Sequence, residues 1–345
     1  MKQQVEKNKI LAPLTTLSLG GEAGGYVLIQ SLADLHELIS AIQDVPGKQL
    51  VILGGGSNIV LPDNAKDLFV VHIHMMGRHV EENDTRVLVT LGAGEDWDEI
   101  VGWCVASGYA GVEALSGIPG SVGGAVVQNI GAYGSEAEET IVSVEVFDLL
   151  EKRRKVFSHD ECNFMYRESV FKKQPELRYL VLGCVLALRR MSPGDLALPE
   201  YRGVTEMFEQ LGHAEITLAT IRDTIVALRN SKLPHPNIIP NVGSFFKNPI
   251  ISQDQFTPIR EQYPAIPHWE VDGGVKLSAG WLIEELGFKG QWFGGIQVSP
   301  LHALVLTNPD KTATSDDLQE ARQAIQNTIQ EKFAIALEAE PVIIE

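Results

Sequence analysis

At 345 residues, and roughly 100 to 200 residues per domain, the chain is long enough for two or three domains that each bury a core, which excludes a small disulfide-held scaffold. With 28 basic and 45 acidic residues it carries a formal net charge of −17, so a nucleic-acid or anionic-membrane surface would work against the global field. Hydrophobic content of 44% and charged content of 21% lie far from the composition of disordered chains.

The start, Met1 to Ile10, is polar and lysine-bearing, with no apolar stretch of signal-peptide length after it, so export is not expected. Ser31 to Asp34 has the form of a capping box, and Leu32, Leu35, Leu38, Ile39 and Ile42 follow at helical spacing. Leu50 to Leu53 reads as a buried strand that delivers the loop Gly54-Gly55-Gly56-Ser57-Asn58. His72 and His74 fall on one strand face without a third ligand at a recognisable spacing, so no metal site is expected. Val87, Val89 and Leu91 alternate as a strand, and Trp97, Ile100, Val101, Cys104 and Val105 form a helical stripe ending at Gly108.

Ala114 to Ser135 is 22 residues without a charge, but six glycines, Pro119, Gln128 and Asn129 make it too polar and broken to span a membrane. Strands are expected at Val142 to Asp148 and Tyr179 to Leu188, with the charged stretch Glu151 to Lys155 as solvated surface. Pro193, Gly194, Pro199 and Gly203 mark a domain boundary near 191 to 203. A helix carrying Leu218, Ile221, Ile225 and Leu228 ends before Pro234, another runs from Ser315 to Phe333, and Val342 to Ile344 reads as a last strand. Cys104, Cys162 and Cys184 are odd in number and lack a CxxC pair, which points to a reducing cytoplasm. Cys104 and Cys184 read as small core groups.

Two glycine segments carry the functional signal. Gly92-Ala93-Gly94 opens a helix, but Trp97 stands where a dinucleotide fingerprint needs a small residue, and Glu95 and Asp96 would repel a pyrophosphate. Gly54 to Asn58 exposes main-chain N–H groups suited to phosphate oxygens, or forms a tight turn needing positive φ. Ser116 to Gly134 lets bare backbone line a cavity wall for a planar, hydrogen-bonding ligand such as an isoalloxazine ring, or marks a close crossing of two backbones.

Thr15-Thr16-Leu17 with Gly20-Gly21, Leu53 to Leu61, Gly117 to Gly134, Tyr166-Arg167-Glu168-Ser169 and Val242-Gly243-Ser244-Phe245-Phe246-Lys247-Asn248-Pro249 together resemble the UDP-N-acetylenolpyruvoylglucosamine reductase family, nearly end to end. The resemblance implies an α+β protein with a vanillyl-alcohol-oxidase-type FAD-binding fold. Two α+β subdomains, 1–75 and 76–190, would hold the cofactor, and a C-terminal α+β substrate domain, 203–345, would close over it, its last strand returning to the first subdomain. It implies non-covalent FAD, NADPH docking in the substrate cleft, a cytoplasmic location and a nucleotide-sugar substrate. No nucleic acid, no membrane insertion and a monomeric chain complete the expectation.

Within that resemblance the cofactor residues are Gly54, Gly55, Gly56, Ser57, Asn58, Ile118, Pro119, Gly120, Ser121, Gly123, Gly124, Asn129, Gly131, Ala132, Tyr133 and Gly134. Reducing an enolpyruvyl ether leaves enolate charge, which a permanently protonated guanidinium at Arg167 can grip through the carboxylate. Ser244 matches the family's proton donor to the ether-bearing carbon, and Glu340 its carboxylate-polarising acid. At Glu340 the sequence departs from the family pattern, because Pro341 follows it and Glu338 lies two residues before it. Tyr201, Lys232 and Asn248 match the UDP-binding positions of the larger subgroup, with its tyrosine loop, and His302 lines the pocket or is a satisfied core histidine. The rival expectations are an alcohol oxidase of the same flavin fold and a non-catalytic UDP-sugar-binding protein.

Overall fold

In a computed structural model of the protein, residues 5–43, 47–83, 86–172, 174 and 177–345 are described. They form two compact units, one of residues 1–9, 23–56 and 66–231 and the other of residues 10–22, 57–65 and 232–345.

The first unit contains a three-stranded parallel sheet with Leu68–Ile73 between Gly25–Ile29 and Gln49–Leu53. These strands are rich in β-branched and aromatic residues, which suit a pleated, covered surface. The crossover between the first two in sequence is the helix Leu32–Gln43. Asp34 accepts the Ser31 N–H at 2.8 Å, which satisfies one of the orphan donors at this helix start.

An antiparallel sheet follows, in the order Arg153–Ser158, Ile141–Asp148, Tyr179–Arg190, Val87–Gly92, Arg78–Glu82. Trp97, Ile100, Val101 and Cys104 form the buried stripe of the helix Trp97–Ala106, whose start is capped by Asp96 at 2.9 Å from the Glu99 N–H. The three cysteines are buried, and burial pushes each thiol up to about 12.

In the charged stretch Glu151, Lys152, Arg153 and Arg154 are exposed, as expected of solvated surface, but Lys155 is half-buried and has a structural partner. Asp148 is wholly buried, and its carboxylate takes Lys155 Nζ at 2.8 Å, Arg178 Nη2 at 2.9 Å and the Leu150 and Glu151 N–H groups at 3.0 Å each. Burial opposes the charge, but these partners prevail and hold the carboxyl far below the usual range. The strand Arg153–Ser158 therefore starts inside the expected turn, because a buried carboxylate needs the cation it brings.

The first unit continues past the expected boundary, to Ser231. Val204, Ile221, Ile225 and Leu228 make a small core with Tyr133, Leu196 and Leu198, which ties 191–231 to this unit.

In the second unit a four-stranded sheet has the order Asn241–Ser244, Val305–Thr307, Ile296–Val298, Trp292–Phe293. Ile250–Ile251, Gly274–Leu277 and His268–Val271 form a second sheet. Leu318, Ala321, Ile325, Ile329 and Phe333 are the buried face of the helix Ser315–Phe333 and pack with Phe245, Phe246 and Phe256. The last strand, Val342–Ile343, pairs in parallel with Ile59–Val60, both in the second unit. Among the described residues no helix is long and apolar enough to cross a membrane.

Candidate active-site residues in the two units

The strand Gln49–Leu53 ends at the glycine loop, and the loop lies against the second glycine segment. A Cβ on Gly55 would sit 2.7 Å from Gly120 Cα and from Ser121 N, and one on Gly54 2.6 Å from Ser121 Oγ. Real Cβ contacts are essentially never that short, so Gly55, which faces backbone, requires glycine, whereas at Gly54 the Ser121 side chain would have to move. Ser121 Oγ accepts the Gly55 N–H at 3.2 Å and caps the helix Val122–Gln128 through the Gly124 N–H, also at 3.2 Å. A Cβ on Gly123 would meet Ala93 Cβ at 2.9 Å. For Gly55 and Gly123 the close approach of another chain segment is thus the observed reason for glycine.

Several other members of the segment are at least partly accessible, although a Cβ on Gly131 would meet Arg167 Nη1 at 2.6 Å and Glu136 Cγ at 2.9 Å. Ile118, Pro119, Gly120, Gly131, Ala132 and Tyr133 are half-exposed, and Gly124 and Gly134 are exposed. A Cβ on Gly134 would meet nothing within 4 Å. The accessible surface is main chain with the side chains of Ile118, Pro119, Ala132 and Tyr133, uncharged except where Arg167 reaches Gly131, which suits a planar ligand with several heteroatoms. FAD fits this surface on the chemistry of the donors present.

Gly54 is braced from behind. His72 Nδ1 lies 2.8 Å from the Tyr26 hydroxyl, and the ring also bonds the Gly54 backbone. Burial, then His74 and Lys9, lower the His72 pKa to about 4, so the ring is neutral at neutral pH. The tautomer follows: Tyr26 donates to Nδ1 and the Nε2–H donates to the Gly54 carbonyl. His74 lies beside His72, with 6.1 Å between the ring centroids. Among the described residues no group of three or more His, Cys, Asp or Glu could hold a metal.

Arg167 is brought onto the same segment. Its Nη2 donates to the Gly131 carbonyl, its Nη1 donates to the Asn129 carbonyl at 3.4 Å, and its guanidinium lies over the Tyr166 ring at 5.0 Å. Arg167 itself has φ of +58°, and Asn129 and Tyr133 have +44° and +52°. Left-handed backbone at three non-glycine residues stores strain and gathers at sites that need fixed geometry. Tyr201 is exposed and meets Tyr133 edge-on at 5.3 Å.

In the second unit the strand Asn241–Ser244 carries a bulge. Asn241 pairs with Thr307 and Ser244 with Val305, so three steps on one strand match two on the other. Gly243, with φ of +74°, absorbs the extra residue, and its N–H is taken by Asn241 Oδ1 at 2.9 Å. A bulge re-aims the side chain after it, and here that side chain is Ser244.

The chain end is placed beside this serine. Glu340 N donates to the Phe245 carbonyl at 2.9 Å, and Lys247 N donates to the Glu338 carbonyl at 2.9 Å. The two glutamates then differ. Glu338 has a side chain 76% exposed and paired with Lys247 Nζ at 3.3 Å, whereas Glu340 is half-buried next to Ser244's neighbour. Pro341 falls between the Glu340 pairing and the Val342 N–H to Asn58 bond at 3.0 Å, so proline breaks neither.

Asn248 Oδ1 accepts the Ala279 N–H at 3.0 Å. His302 Nδ1 accepts the Leu304 N–H at 3.3 Å, which leaves its proton on Nε2 when the ring is neutral. Burial lowers the His302 pKa, and Lys232 and Lys289 lower it further. Lys232 therefore acts electrostatically on His302, and both belong to the second unit with Ser244, Asn248 and Glu340. Arg167 and Tyr201 belong to the first.

Sequence reasoning missed several supporting residues. Asp98 takes Arg222 bidentately at 2.6 and 2.9 Å and the Gly117 N–H at 2.6 Å, fixing the start of the glycine wall. Glu136, 3.8 Å from Arg167 Nη1, was also missed. No spacing links Asp98 to Arg222, which are 124 residues apart; Glu136 stood two residues beyond the glycine segment and was readable as its acidic flank.

The relatives decide the family. A protein of Neisseria meningitidis serogroup C, named UDP-N-acetylenolpyruvoylglucosamine reductase, is 38% identical over 98% of this chain and 97% of its own length. The chain belongs to the UDP-N-acetylenolpyruvoylglucosamine reductase family. A member from Pseudomonas putida is 37% identical over 99% of both chains. The model of the reductase C-terminal domain matches residues 234–344, and that of an FAD binding domain matches residues 23–152. The crystal structure of the reductase from Thermus caldophilus matches with a TM-score of 0.66, at 24% identity over 99% of this chain and 100% of the other, and shares its fold. The FAD-domain match contains both glycine segments, and the reductase-domain match contains Ser244 and Glu340.

Proposed function

We propose that the chain is an NADPH-dependent flavoenzyme of the cytoplasm that reduces UDP-N-acetylglucosamine enolpyruvate to UDP-N-acetylmuramate, a step in peptidoglycan synthesis. The observation that carries this reading is the end-to-end relationship to the reductases; Arg167, Ser244 and Glu340 are the residues that the resemblance assigns to catalysis. FAD, held on Gly54 to Asn58 and Ile118 to Gly134, would accept hydride from NADPH and pass it to the methylene carbon of the substrate.

Arg167 holds the substrate carboxylate. Hydride addition at the methylene carbon shifts charge onto the ether-bearing carbon and the carboxylate, and a guanidinium already in place stabilises that charge without reorganising. Ser244 gives its hydroxyl proton to the ether-bearing carbon, which completes the lactyl ether. A serine is a weak acid, so the bulge that fixes its direction and the partial burial of the strand matter more than its intrinsic acidity. Glu340 polarises the substrate carboxylate, the role the family resemblance gives it. Lys232 and Tyr201 bind the diphosphate, and Asn248 and the Nε2–H of His302 offer neutral donors to the nucleotide sugar.

The test is product analysis of the purified enzyme with NADPH and the enolpyruvyl nucleotide. One nucleotide, two hydrogens heavier, should form per NADPH consumed. Peroxide formation in its place would favour an alcohol oxidase, and a protein that binds the nucleotide without changing it would favour a binding role.

A further inference from the structure

Glu136 has no part in the reaction as described above, yet it stands at the centre of the contacts around Arg167. One carboxylate oxygen lies 3.8 Å from Arg167 Nη1, and the other accepts from Asn129 Nδ2 at 2.8 Å. The same Nδ2 donates to the Met165 carbonyl at 3.1 Å, and Asn129 Oδ1 accepts the Glu138 N–H at 3.1 Å. Asn129 is fully buried and left-handed, so its amide is fixed by both ends and fixes Glu136 in turn.

The guanidinium also donates to the carbonyls of Gly131 and Asn129. Glu136 brings an anion to this group at 3.8 Å, beyond hydrogen-bond length. A tight fork would compete with a substrate carboxylate for the same face, whereas a looser counter-ion orients the cation and still leaves the substrate the better partner. Burial raises the Glu136 carboxyl, the Arg167 cation pulls it down and Glu138 raises it, which places these three charges within one another's influence.

We propose that Glu136 is a positioning residue for Arg167: held by Asn129, it sets the direction in which the guanidinium meets the substrate carboxylate. The inference rests on Arg167 as the carboxylate grip, and its test separates the two. In FAD-loaded enzyme, Glu136→Gln keeps the hydrogen bond from Asn129 and removes the charge. It should slow reoxidation of the reduced flavin by the enolpyruvyl nucleotide on the order of 10- to 100-fold, the scale of a misplaced catalytic group. Reduction by NADPH, FAD content and the thermal midpoint should stay at wild-type values.

In an Arg167→Met background the same change should add nothing, since the group it positions is gone. Wild-type reoxidation in Glu136→Gln, equal losses in both half-reactions, or an undiminished loss in the Arg167→Met background would each overturn the proposal. If Glu136→Gln does not fold, Glu136→Asp, which keeps the charge but withdraws it by one methylene, should show a smaller loss in reoxidation alone, and an unchanged rate there would also overturn it. An Arg167→Met enzyme that reoxidises at the wild-type rate would remove the reading of Arg167 itself, a result distinct from any obtained with Glu136.

Discussion

In the first unit the wall is main chain of residues 54 to 56 and 117 to 134 beside the Arg167 guanidinium, with several N–H groups already held internally and glycine where a Cβ would collide with backbone, as at Gly55. In the second unit the groups on offer are side chains, at Ser244, Asn248 and His302, two of them anchored by a backbone N–H and one aimed by a bulge. A wall built from backbone tolerates almost no added atoms and little chemistry can be tuned in it. A site built from side chains on a sheet can lose a reacting atom and keep its shape. Substitutions should therefore fail in different ways in the two places.

The largest effect is expected at the wall. Gly55→Val places carbon atoms where Gly120 already lies at 2.7 Å, so the two glycine segments must separate, and overpacking of this kind costs about 1 to 3 kcal/mol or more. The purified variant should carry little or no flavin, read from its visible absorbance. Full flavin content would show that the crossing is not rigid. Next is Ser244→Ala, which deletes one oxygen from a half-buried strand position. Flavin bleaching by NADPH and the melting temperature should be unchanged, while reoxidation by the enolpyruvyl nucleotide slows by at least about 10²-fold. Equal reoxidation in variant and wild type would remove the serine as donor.

A smaller effect sharpens the account of the wall's support. The folded His72 ring has its pKa lowered from 6.5 to about 4, so between those values the unfolded chain binds a proton that the folded ring refuses. Stability contributed by the neutral ring is present above pH 6.5 and is lost as pH falls toward 4. Denaturant midpoints measured across that window should fall less steeply in His72→Gln than in wild type, and parallel curves would contradict the Tyr26–His72–Gly54 relay. The smallest effect is expected for Glu338→Gln. Its exposed pair with Lys247 belongs to a class that contributes about 0 to 1 kcal/mol, so both half-reactions should be unaffected, whereas Glu340→Gln should slow the step with the nucleotide. The reverse pattern would exchange the roles of the two glutamates.

The difference between the units also explains what could be read from the chain beforehand. The helices Leu32–Gln43, Trp97–Ala106 and Ser315–Phe333 declare themselves by their apolar stripes and caps, and each is found where periodicity puts it. The glycine segments announce unusual backbone by composition alone, although composition does not distinguish a glycine that lets a loop cross, such as Gly55, from one left open, such as Gly134. Ser244 gives no such signal. A serine after a glycine is ordinary, and its importance comes from a one-residue mismatch between two strands about 60 positions apart in sequence. Buried charge was the least legible part. Asp148 and its partners Lys155 and Arg178, like Asp98 with Arg222, are ordinary surface residue types until the fold encloses them.

The central claim is that a wall of main-chain amides in this chain holds a flavin that delivers reducing equivalents to an enolpyruvyl nucleotide. The most direct measurement is an anaerobic visible spectrum of the purified protein, taken before NADPH, after it, and again after UDP-N-acetylglucosamine enolpyruvate. The account predicts flavin absorbance that NADPH bleaches and the nucleotide restores. A protein that is colourless and stays so when mixed with FAD, or a bleached flavin that the nucleotide leaves unchanged, would contradict it.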